Sequence, residues 1–412
     1  MYKPRAKNSF VYIYAVYFIL SLSVYSRAFD NPFRQDDFVY LRYVESTALR
    51  DTFKPSPVFA FYRPGAKALF SIEHMLFAWN SGRYIMFNYT LHCAIAILVL
   101  LILLQIDPHT KMAFLASGLF LLGFGHYAKQ VMWACTSGCL VSVLLSLASI
   151  LITLRWLKFR TLGKGKPEMF KCVLYPVIAL ILLIVSPLFH EVSMIAVIVI
   201  AFIVMVSLRG SNMSKLNHVA FFLIPLPLWL AFWFLISKSY PAYGLTGTTI
   251  LNAPVYLIRY LGFMVLPVKP TAIIASNPTW NLVIGICQYL HIVIGSTMFV
   301  FLLYLAIRSR SSPRVLSVWL LLGLVPFTLL KTQKFMLEVR YLYCASIPFC
   351  GLTAIAIHAL WRKKQVFWKI VAVAIMIGVT AGSMVLQLIL EKFYDRYTLY
   401  SGVIFYGVFW II

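Results

Sequence analysis

Acidic residues are scarce in this chain. Asp and Glu together number 12 among 412 residues, against 36 Lys and Arg, and all charged residues make up only 12% of the sequence. Soluble domains usually carry about a quarter of their residues as charges, so the composition excludes an ordinary soluble protein. The net charge of +24 does not indicate a nucleic-acid partner, because no soluble basic patch accompanies it.

Cysteine is also sparse, and its seven copies do not form a recognisable binding motif. Cys135 and Cys139 stand four residues apart, which is the spacing of two packed side chains on one helical turn. The chain has no C-x-x-C pair and no Cys/His cluster with metal-ligand spacing. The cysteines are therefore interpreted as packing residues, and no metal site is predicted from them.

Apolar residues are abundant instead. They make up 62% of the chain, whose mean hydropathy is +0.87, and runs long enough to cross a bilayer recur throughout. This pattern predicts an all-α polytopic membrane protein with about 11–12 transmembrane helices. The predicted spans are 9–26, 84–105, 111–127, 137–157, 172–189, 192–208, 218–237, 282–306, 315–331, 341–360 and 366–390, with 398–412 as a twelfth.

The basic residues predict the topology. The first span follows Lys3, Arg5 and Lys7 as a signal peptide would, but no A-x-A-like cleavage site follows it. It is therefore interpreted as an uncleaved anchor with the N-terminus in the cytoplasm. Three basic loops then fall inside, and of the 12 acidic residues only Asp107 and Glu168 do so. The inner basic residues are Arg155, Lys158, Arg160, Lys164, Lys166, Lys171, Arg308, Arg310, Arg314, Arg362, Lys363, Lys364 and Lys369.

The whole chain, 1–412, is predicted to form one transmembrane domain. Two of its outer segments are long. The first, 27–83, contains an amphipathic stretch at 37–45 and a helix predicted from about 66 to 79, after Tyr62-Arg63-Pro64. The second, 238–281, contains an apolar run at 257–266 that is too short to span and is ended by Pro267 and Pro270. Both segments are predicted to form interfacial helices on the outer face.

The acidic pair Asp36-Asp37 stands directly after the first span. Two adjacent carboxylates at a membrane surface are costly, so their presence in so acid-poor a chain predicts chemistry on the far side of the membrane. A structural interpretation is also open, because acidic residues stabilise a helix N-terminus by about 0.3–1 kcal/mol.

Several further motifs follow this pair in a fixed order. Together they resemble the GT-C superfamily of integral-membrane glycosyltransferases, and most closely the bacterial relatives of the transmembrane, tetratricopeptide-bearing O-mannosyltransferases. The chain departs from that family at Cys139, where Arg is common, and at His190, where Lys is common. The matching motifs are Asp36-Asp37, Tyr62-Arg63-Pro64, Asn88-x-x-Leu91-His92, His126, Trp133, Ser137-Gly138, His190-Glu191, Tyr260-Leu261 with Leu266-Pro267, and Glu338-x-Arg340-Tyr341-x-Tyr343.

The resemblance implies transfer of a sugar from a polyprenyl-phosphate carrier to an acceptor outside the cytoplasm, usually with inversion, in a bacterial inner membrane. Chemistry supports this independently, because inverting transfer needs a carboxylate base and cations for the leaving phosphate. The catalytic candidates are Asp36, as the base, and Asp37. The donor-binding candidates are Arg63, His190, Glu191, Lys331, Glu338, Arg340 and Tyr341.

The acceptor and any cofactor are left open by the sequence. The acceptor can be a glycan, a glycolipid or a protein, and no tetratricopeptide region follows the last span, which favours a glycan or glycolipid. The other expected contacts are membrane lipids. If a divalent metal takes part, Asp36 and Glu191 are the carboxylates expected to bind it.

Three other function classes compete with this interpretation. A transporter would place ionisable residues in the middle of its spans, and a membrane O-acyltransferase would need a His with an acidic partner, such as His190-Glu191 or Glu73-His74. A polymerase or ligase of lipid-linked glycans would rely on outer-loop arginines. Structural roles are also open for the candidates themselves, including lipid-headgroup anchoring by Arg63 and pairing of Glu191 with a nearby cation.

Overall fold

The computed structural model describes residues 6–34, 36–56, 59, 62–107, 109–123, 128–162, 169–208, 212–237, 247–266, 278–309, 312–328 and 342–378. Within these ranges every regular element is a helix. The α-helices are α1 (Ala6–Tyr25), α2 (Asp36–Ser46), α3 (Pro64–Phe77), α4 (Ser81–Ile106), α5 (Thr110–Leu122), α6 (Ala128–Met132), α7 (Ser137–Leu162), α8 (Met169–Val185), α9 (Met194–Ser207), α10 (Asn212–Leu223), α11 (Pro225–Ser237), α12 (Gly247–Val265), α13 (Pro278–Arg308), α14 (Ser312–Thr328), α15 (Leu342–Trp361) and α16 (Val366–Gly378).

The predicted all-α polytopic membrane architecture is confirmed. Each predicted span as far as 341–360 overlaps a helix, the described part of 366–390 is helical as far as Gly378, and 398–412 lies outside the described residues. Six of the helical segments are long and apolar enough to cross a membrane, so this is an integral membrane protein. These six are Ser81–Ile106, Ala134–Arg160, Phe170–Leu188, Asn212–Phe232, Gly285–Arg308 and Leu342–Trp361.

The bundle has two ends that differ in construction. One, the short-turn end, is marked by Asp107, whose Oδ2 accepts a hydrogen bond from Ser312 Oγ at 2.8 Å. The rings of His109 and His358 lie 5.8 Å apart at this end as well. The turns after α4, before α14 and after α15 therefore share one end, as the predicted topology requires. Which end faces the cytoplasm stays a prediction.

The other end, called the loop end here, is formed by residues 26–80, 128–136 and 186–193. The helix α4 joins the two ends, since its 26 residues extend about 39 Å. Its first residue, Ser81, donates a hydrogen bond to the Asn31 carbonyl at 2.7 Å, in the segment that follows α1. The first outer segment is thus attached to the bundle at the start of α4.

The helices predicted within the first outer segment are confirmed as α2 and α3. Pro64 occupies the first turn of α3, where its missing N–H costs nothing and its fixed φ favours the helix. The two helices bury a small apolar core of their own beneath the loop end. Its buried residues are Tyr40, Leu41, Tyr43, Phe59, Phe70, Tyr84 and Ala134.

The short apolar run of the second outer segment lies within α12. This helix runs antiparallel to α13 at very close range, through two glycines. A Cβ on Gly262 would lie 2.0 Å from the His291 carbonyl oxygen, and one on Gly295 would lie 1.9 Å from that of Ile258. Small residues allow such helix contacts in membranes. The flanking stretches 238–246 and 267–277 lie outside the described residues, so the outer placement of this segment stays a prediction.

Candidate active site

The start of α7 forms the centre of the loop end. Residues 133–142, called the α7 start below, contact several segments that are distant in sequence. Trp133 Nε1 donates to the Arg34 carbonyl at 3.3 Å, and the Trp133 carbonyl accepts from Asn88 Nδ2 at 2.8 Å. Further along, Ser142 Oγ donates to the His190 carbonyl at 2.7 Å. The segment before α2, the helix α4 and the 186–193 turn are thus all held by one short stretch of chain.

The carboxylate of Asp37 is a buried structural anchor. The residue is only 1% exposed, its Oδ2 accepts from the Arg34 amide and its Oδ1 accepts from the Cys135 amide, both at 2.8 Å. Burial raises its pKa to about 6, while these two amide hydrogen bonds lower it and the neighbouring Asp36 raises it. Asp37 therefore fixes the first turn of α2 to the α7 start.

Asp36 occupies the opposite environment, although it is the adjacent residue. It is the first residue of α2, and its side chain is exposed. One turn later, burial raises the pKa of the Tyr40 hydroxyl well above its usual value, the Arg63 charge lowers it, and the charges of Asp36 and Glu191 raise it. One catalytic candidate and two donor-binding candidates thus lie within electrostatic range of Tyr40.

Arg63 and Glu191 form a two-point ion pair across 128 residues of sequence. Arg63 Nε donates to Glu191 Oε2 at 2.6 Å, and Arg63 Nη2 donates to Oε1. Burial raises the pKa of the Glu191 carboxyl, but the Arg63 guanidinium and His190 outweigh that effect and hold the pKa below its usual range. Two-point pairing fixes the orientation of both side chains. This ion pair is the pairing with a nearby cation that the sequence left open for Glu191.

Two glycines set the position of Arg63. The residue directly precedes α3, whose first turn lies against the α7 start and the 186–193 turn. A Cβ on Gly138 would lie 2.5 Å from the Ala66 Cβ, and a Cβ on Gly65 would lie 3.1 Å from the Leu188 carbonyl oxygen. At Gly138 a larger residue would clash with Ala66, so this close approach of α3 to the α7 start requires glycine there. The Ser137-Gly138 motif therefore has a physical role in this fold, since it lets α3 bring Arg63 to Glu191.

His190 takes part in this turn mainly through its backbone and ring nitrogen. Its Nδ1 accepts a hydrogen bond from the Val192 amide at 3.2 Å and lies 3.7 Å from Glu191 Oε2. Another histidine of the motif series, His92, is fully buried, with its Nδ1 2.8 Å from the Tyr343 hydroxyl. Both histidine rings are therefore held by hydrogen bonds with neighbouring groups. The remaining donor-binding candidates, Lys331, Glu338, Arg340 and Tyr341, lie outside the described residues.

The described residues do not fit a metal ion at Asp36 and Glu191. Both carboxylate oxygens of Glu191 are already engaged by Arg63. Across the described ranges, no three His, Cys, Asp or Glu side chains come together as a group that could hold one.

The paired residues of the acyltransferase interpretation do not form His–carboxylate hydrogen bonds. His74 Nδ1 lies 3.2 Å from the Tyr84 hydroxyl, whereas Glu73 Oε2 accepts from Ser137 Oγ at 3.0 Å. The two neighbours thus point to different partners. For His190, the ring nitrogen nearest Glu191 accepts the Val192 amide instead.

Two residues of this region were not predicted from the sequence. Tyr40 lies one turn after Asp36, and Lys67 lies one turn after Arg63. Lys67 is 2% exposed, donates from Nζ to the Lys54 carbonyl at 2.8 Å and lies 5.4 Å from the ring centre of Tyr43. Burial lowers its pKa to about 8. The spacing of one helical turn from Arg63 was the signal that could have placed Lys67 in this region. Lysine is rarely buried, so the residue type predicted an exposed side chain instead.

Comparison with known proteins is informative only at the level of structure. No family model matches the chain, and no curated protein matches it. A crystal structure of the Archaeoglobus fulgidus oligosaccharyltransferase, tethered to an acceptor peptide, superposes with a TM-score of 0.55 at 14% identity. The alignment covers 92% of this chain and 55% of that one.

The chain shares the fold of about half of this enzyme. A second structure, of the oligosaccharyltransferase AglB from Archaeoglobus fulgidus in complex with an inhibitory peptide and a dolichol-phosphate, gives a TM-score of 0.55 at 13% identity, over 93% of this chain and 56% of that one. At identities this low the likeness is one of fold alone. The chain spans about half the length of these neighbours, and the resemblance to the tetratricopeptide-bearing O-mannosyltransferases stays a prediction.

Proposed function

We propose that this protein is a GT-C glycosyltransferase that transfers a sugar from a polyprenyl-phosphate donor to an acceptor hydroxyl at the extracytoplasmic face of a bacterial inner membrane. Asp36 is the general base, and transfer inverts the anomeric carbon. The acceptor is a glycan, a glycolipid or a protein.

The observation that carries the proposal is the contrast between Asp36 and Asp37. Asp37 is buried and bound by two backbone amides, so it cannot receive a proton from a substrate without breaking its contacts. It holds Asp36, whose side chain is exposed, at the start of α2, and the charges of Asp36, Arg63 and Glu191 all act on the Tyr40 hydroxyl. An exposed carboxylate on a fixed helix start, with a guanidinium at the same end of the bundle, is the arrangement that base-assisted transfer to a phosphate leaving group needs.

The proposed reaction is a single displacement. The acceptor oxygen forms a bond to C1 of the sugar while the bond from C1 to the phosphate oxygen breaks. The acceptor proton passes to Asp36, and polyprenyl phosphate leaves with the bonding electron pair. Its growing negative charge needs cations in a water-poor site, where a positioned donor typically contributes roughly 2–4 kcal/mol to the transition state.

Arg63 is the proposed cation nearest the base. Its planar guanidinium matches two phosphate oxygens as it matches the two Glu191 oxygens, so a donor phosphate and Glu191 would compete for the same face of the side chain. Because the Arg63–Glu191 pair is neutral overall, further cations are required. The proposal assigns this role to Lys331 and Arg340, with His190, Glu338 and Tyr341 as neighbouring donor contacts.

The fold supports a lipid-linked donor. The neighbour AglB has been determined in complex with an inhibitory peptide and a dolichol-phosphate, so a protein with this fold binds a lipid-linked phosphate. Nucleotide sugars are cytoplasmic, whereas Asp36 is predicted to face the other side of the membrane. A lipid-linked sugar would place its tail between the helices and its phosphate at the loop end.

The test is sugar release from a panel of labelled polyprenyl-phosphate sugars. Membranes would contain wild type, Asp36→Asn or Glu45→Gln at matched expression, the last removing an exposed carboxylate from the same helix. We expect turnover of one donor by wild type and Glu45→Gln, and its loss in Asp36→Asn. Equal turnover by all three proteins would exclude Asp36 as the base.

A different activity would indicate a different class of enzyme. If membranes supplied with native acceptors release no sugar from any donor, yet extend or ligate lipid-linked glycans, the ligase interpretation replaces this one. Loss of that activity on replacing Arg63, but not Asp36, would identify it.

A further inference from the structure

Glu73 is a buried carboxyl group that the proposed reaction does not use. It lies in α3 and is 2% exposed. Its Oε2 accepts a hydrogen bond from Ser137 Oγ at 3.0 Å. Its Oε1 is fully enclosed and has no hydrogen-bond partner within the described ranges. A buried carboxylate ion usually needs several donors or a paired cation, so the surroundings favour the neutral acid.

The groups that face Glu73 supply no compensating positive charge. From α4, the Tyr84 hydroxyl experiences the charges of both Glu73 and Asp37 of α2. In the turn Leu49–Phe53, which also packs against α3, Asp51 is paired with Lys54 at 2.7 Å. The α7 start contributes the Ser137 hydroxyl. Burial therefore dominates and raises the pKa of Glu73 to about 8, with the Ser137 hydrogen bond acting in the opposite direction.

The charged groups on α3 itself are directed elsewhere. Lys67 Nζ donates to the Lys54 carbonyl, and His74 Nδ1 lies 3.2 Å from the Tyr84 hydroxyl. Arg63, at the start of the helix, bonds Glu191.

Glu73 nevertheless lies where α3 meets the α7 start. The side chain of a helical residue points back towards the helix N-terminus, so Glu73 reaches Ser137 close to the contact between Ala66 and Gly138. These two contacts attach α3 to α7. Because Arg63 directly precedes α3, its position depends on them.

We propose that Glu73 is a positioning residue: as a neutral acid it holds α3 against the α7 start and so keeps Arg63 at Glu191, and its ionisation loosens both. The proton that Glu73 releases passes to solvent base. Ionised Glu73 draws in water or moves towards it, which separates α3 from Ser137 and Gly138. The consequence for sugar transfer rests on the proposed function, whereas the consequence for the contact of α3 with α7 does not.

The direction of the pH effect follows from the raised pKa. The folded protein holds this proton more tightly than the unfolded chain, in which the carboxyl has its ordinary value near 4.5. Stability from this group is therefore fully present below that ordinary value and is lost as pH rises through about 8. Glu73→Gln keeps an acceptor for Ser137 without the ionisation, so it removes this loss.

The first experiment does not depend on activity. Purified wild type, Glu73→Gln and the surface control Glu45→Gln would be compared by thermal unfolding and by hydrogen exchange of peptides covering 63–77 and 186–193, each at pH 6 and pH 9. At pH 6 Glu73 is neutral in the folded protein, so we expect the three proteins to exchange alike in these peptides, with a smaller difference in unfolding temperature between Glu73→Gln and the other two than at pH 9. At pH 9 wild type and Glu45→Gln should unfold at lower temperature and exchange faster in these peptides than Glu73→Gln. Parallel behaviour of all three at both values would overturn the proposal.

The second experiment measures the pH profile of sugar transfer. One ionisation at a pKa of about 8 leaves roughly a tenth of the sites neutral at pH 9, so the wild-type rate should fall about tenfold between pH 7 and pH 9. Glu73→Gln should lack this alkaline decline. Ser137→Ala removes the hydrogen bond that attaches Glu73 to the α7 start, so its rate should already be reduced at pH 7.

The two experiments separate the possible failures. If the exchange difference appears but no donor supports transfer, the proposed function fails while the structural role of Glu73 stands. If transfer occurs and Glu73→Gln retains the full alkaline decline, the positioning role is overturned and the proposed function is unaffected.

Discussion

The loop end and the short-turn end of the bundle use acidic residues in different ways. Among the residues that the structure describes, Asp107 is the acidic side chain at the short-turn end. Its carboxylate joins two turns, accepting the His109 amide at 2.9 Å and the Ser312 hydroxyl at 2.8 Å. That is a half-buried connection between helices. At the loop end, by contrast, Asp37 and Glu73 are buried beneath the exposed Asp36 and the Arg63–Glu191 pair.

This difference teaches how a membrane helix bundle can fix the positions of polar residues at one end with little polar material. Burial of a carboxyl group costs free energy unless hydrogen bonds compensate for it. At the loop end two carboxyl groups, those of Asp37 and Glu73, are buried in this way. Each forms a hydrogen bond with the α7 start. Their common effect is to fix the first turns of α2 and α3. Asp36 and Arg63, which stand at those first turns, are thereby held at defined positions.

The largest effect is expected at Asp37. Replacing it with Ala leaves two buried amides, those of Arg34 and Cys135, without their acceptor. Each unsatisfied group costs about 1–3 kcal/mol, so we expect a large fall in the unfolding temperature and loss of sugar transfer with it. The matched control is Asp36→Ala, which removes the neighbouring exposed carboxylate. It should leave stability within about 0.5 kcal/mol of wild type, and equal stability losses in the two variants would contradict the assignment.

A smaller effect is expected at the glycine contact between α3 and α7. A methyl group at Gly138 would meet the Ala66 Cβ at 2.5 Å, and such overpacking typically costs about 1–3 kcal/mol. We expect Gly138→Ala to lower both stability and transfer, because α3 carries Arg63. Gly285→Ala in α13 is the control, since its Cβ would meet nothing within 4 Å. Thermal unfolding of the two variants tests the contact, and a Gly138→Ala protein as stable as Gly285→Ala would refute it.

The smallest effect is expected at the short-turn end. Asp107→Asn keeps one carbonyl-type acceptor and loses the other, so it should cost about 0.5–1.5 kcal/mol. Transfer should be unchanged once the amount of folded protein is matched, because Asp107 lies at the opposite end of α4 from the candidate site. Measuring the rate per folded molecule checks this. A rate reduced as far as in Asp36→Asn would place the chemistry at the wrong end of the bundle.

Much of the fold could be predicted from the sequence because membrane spans are local features. A run of apolar residues such as 84–105 must form a helix in a bilayer, whatever surrounds it. The helices α2 and α3 were predictable from amphipathic spacing and from Pro64 for the same reason. The α12 helix was harder, because its apolar run is short and its close packing on α13 depends on Gly295, which lies far along the chain.

The candidate site was predictable only in part. Asp36 and Asp37 are the same residue type in adjacent positions, so nothing local indicates which one is buried. That is decided by Cys135, about a hundred residues away, whose amide reaches Asp37. The pairing of Arg63 with Glu191 depends in the same way on Gly138, which allows α3 to approach. Buried Glu73 resembled a surface residue for the same reason, since burial is a property of the fold.

The most direct test of the account is the transfer rate of purified Asp36→Asn with the donor that wild type uses, measured beside its unfolding temperature. Loss of a general base typically lowers the rate by about 10²- to 10⁴-fold, and an exposed side chain contributes little to stability. The account therefore predicts a rate reduced by that factor with an unfolding temperature equal to that of wild type. A rate close to wild type would contradict it, and so would a loss of rate that is matched by a loss of folded protein.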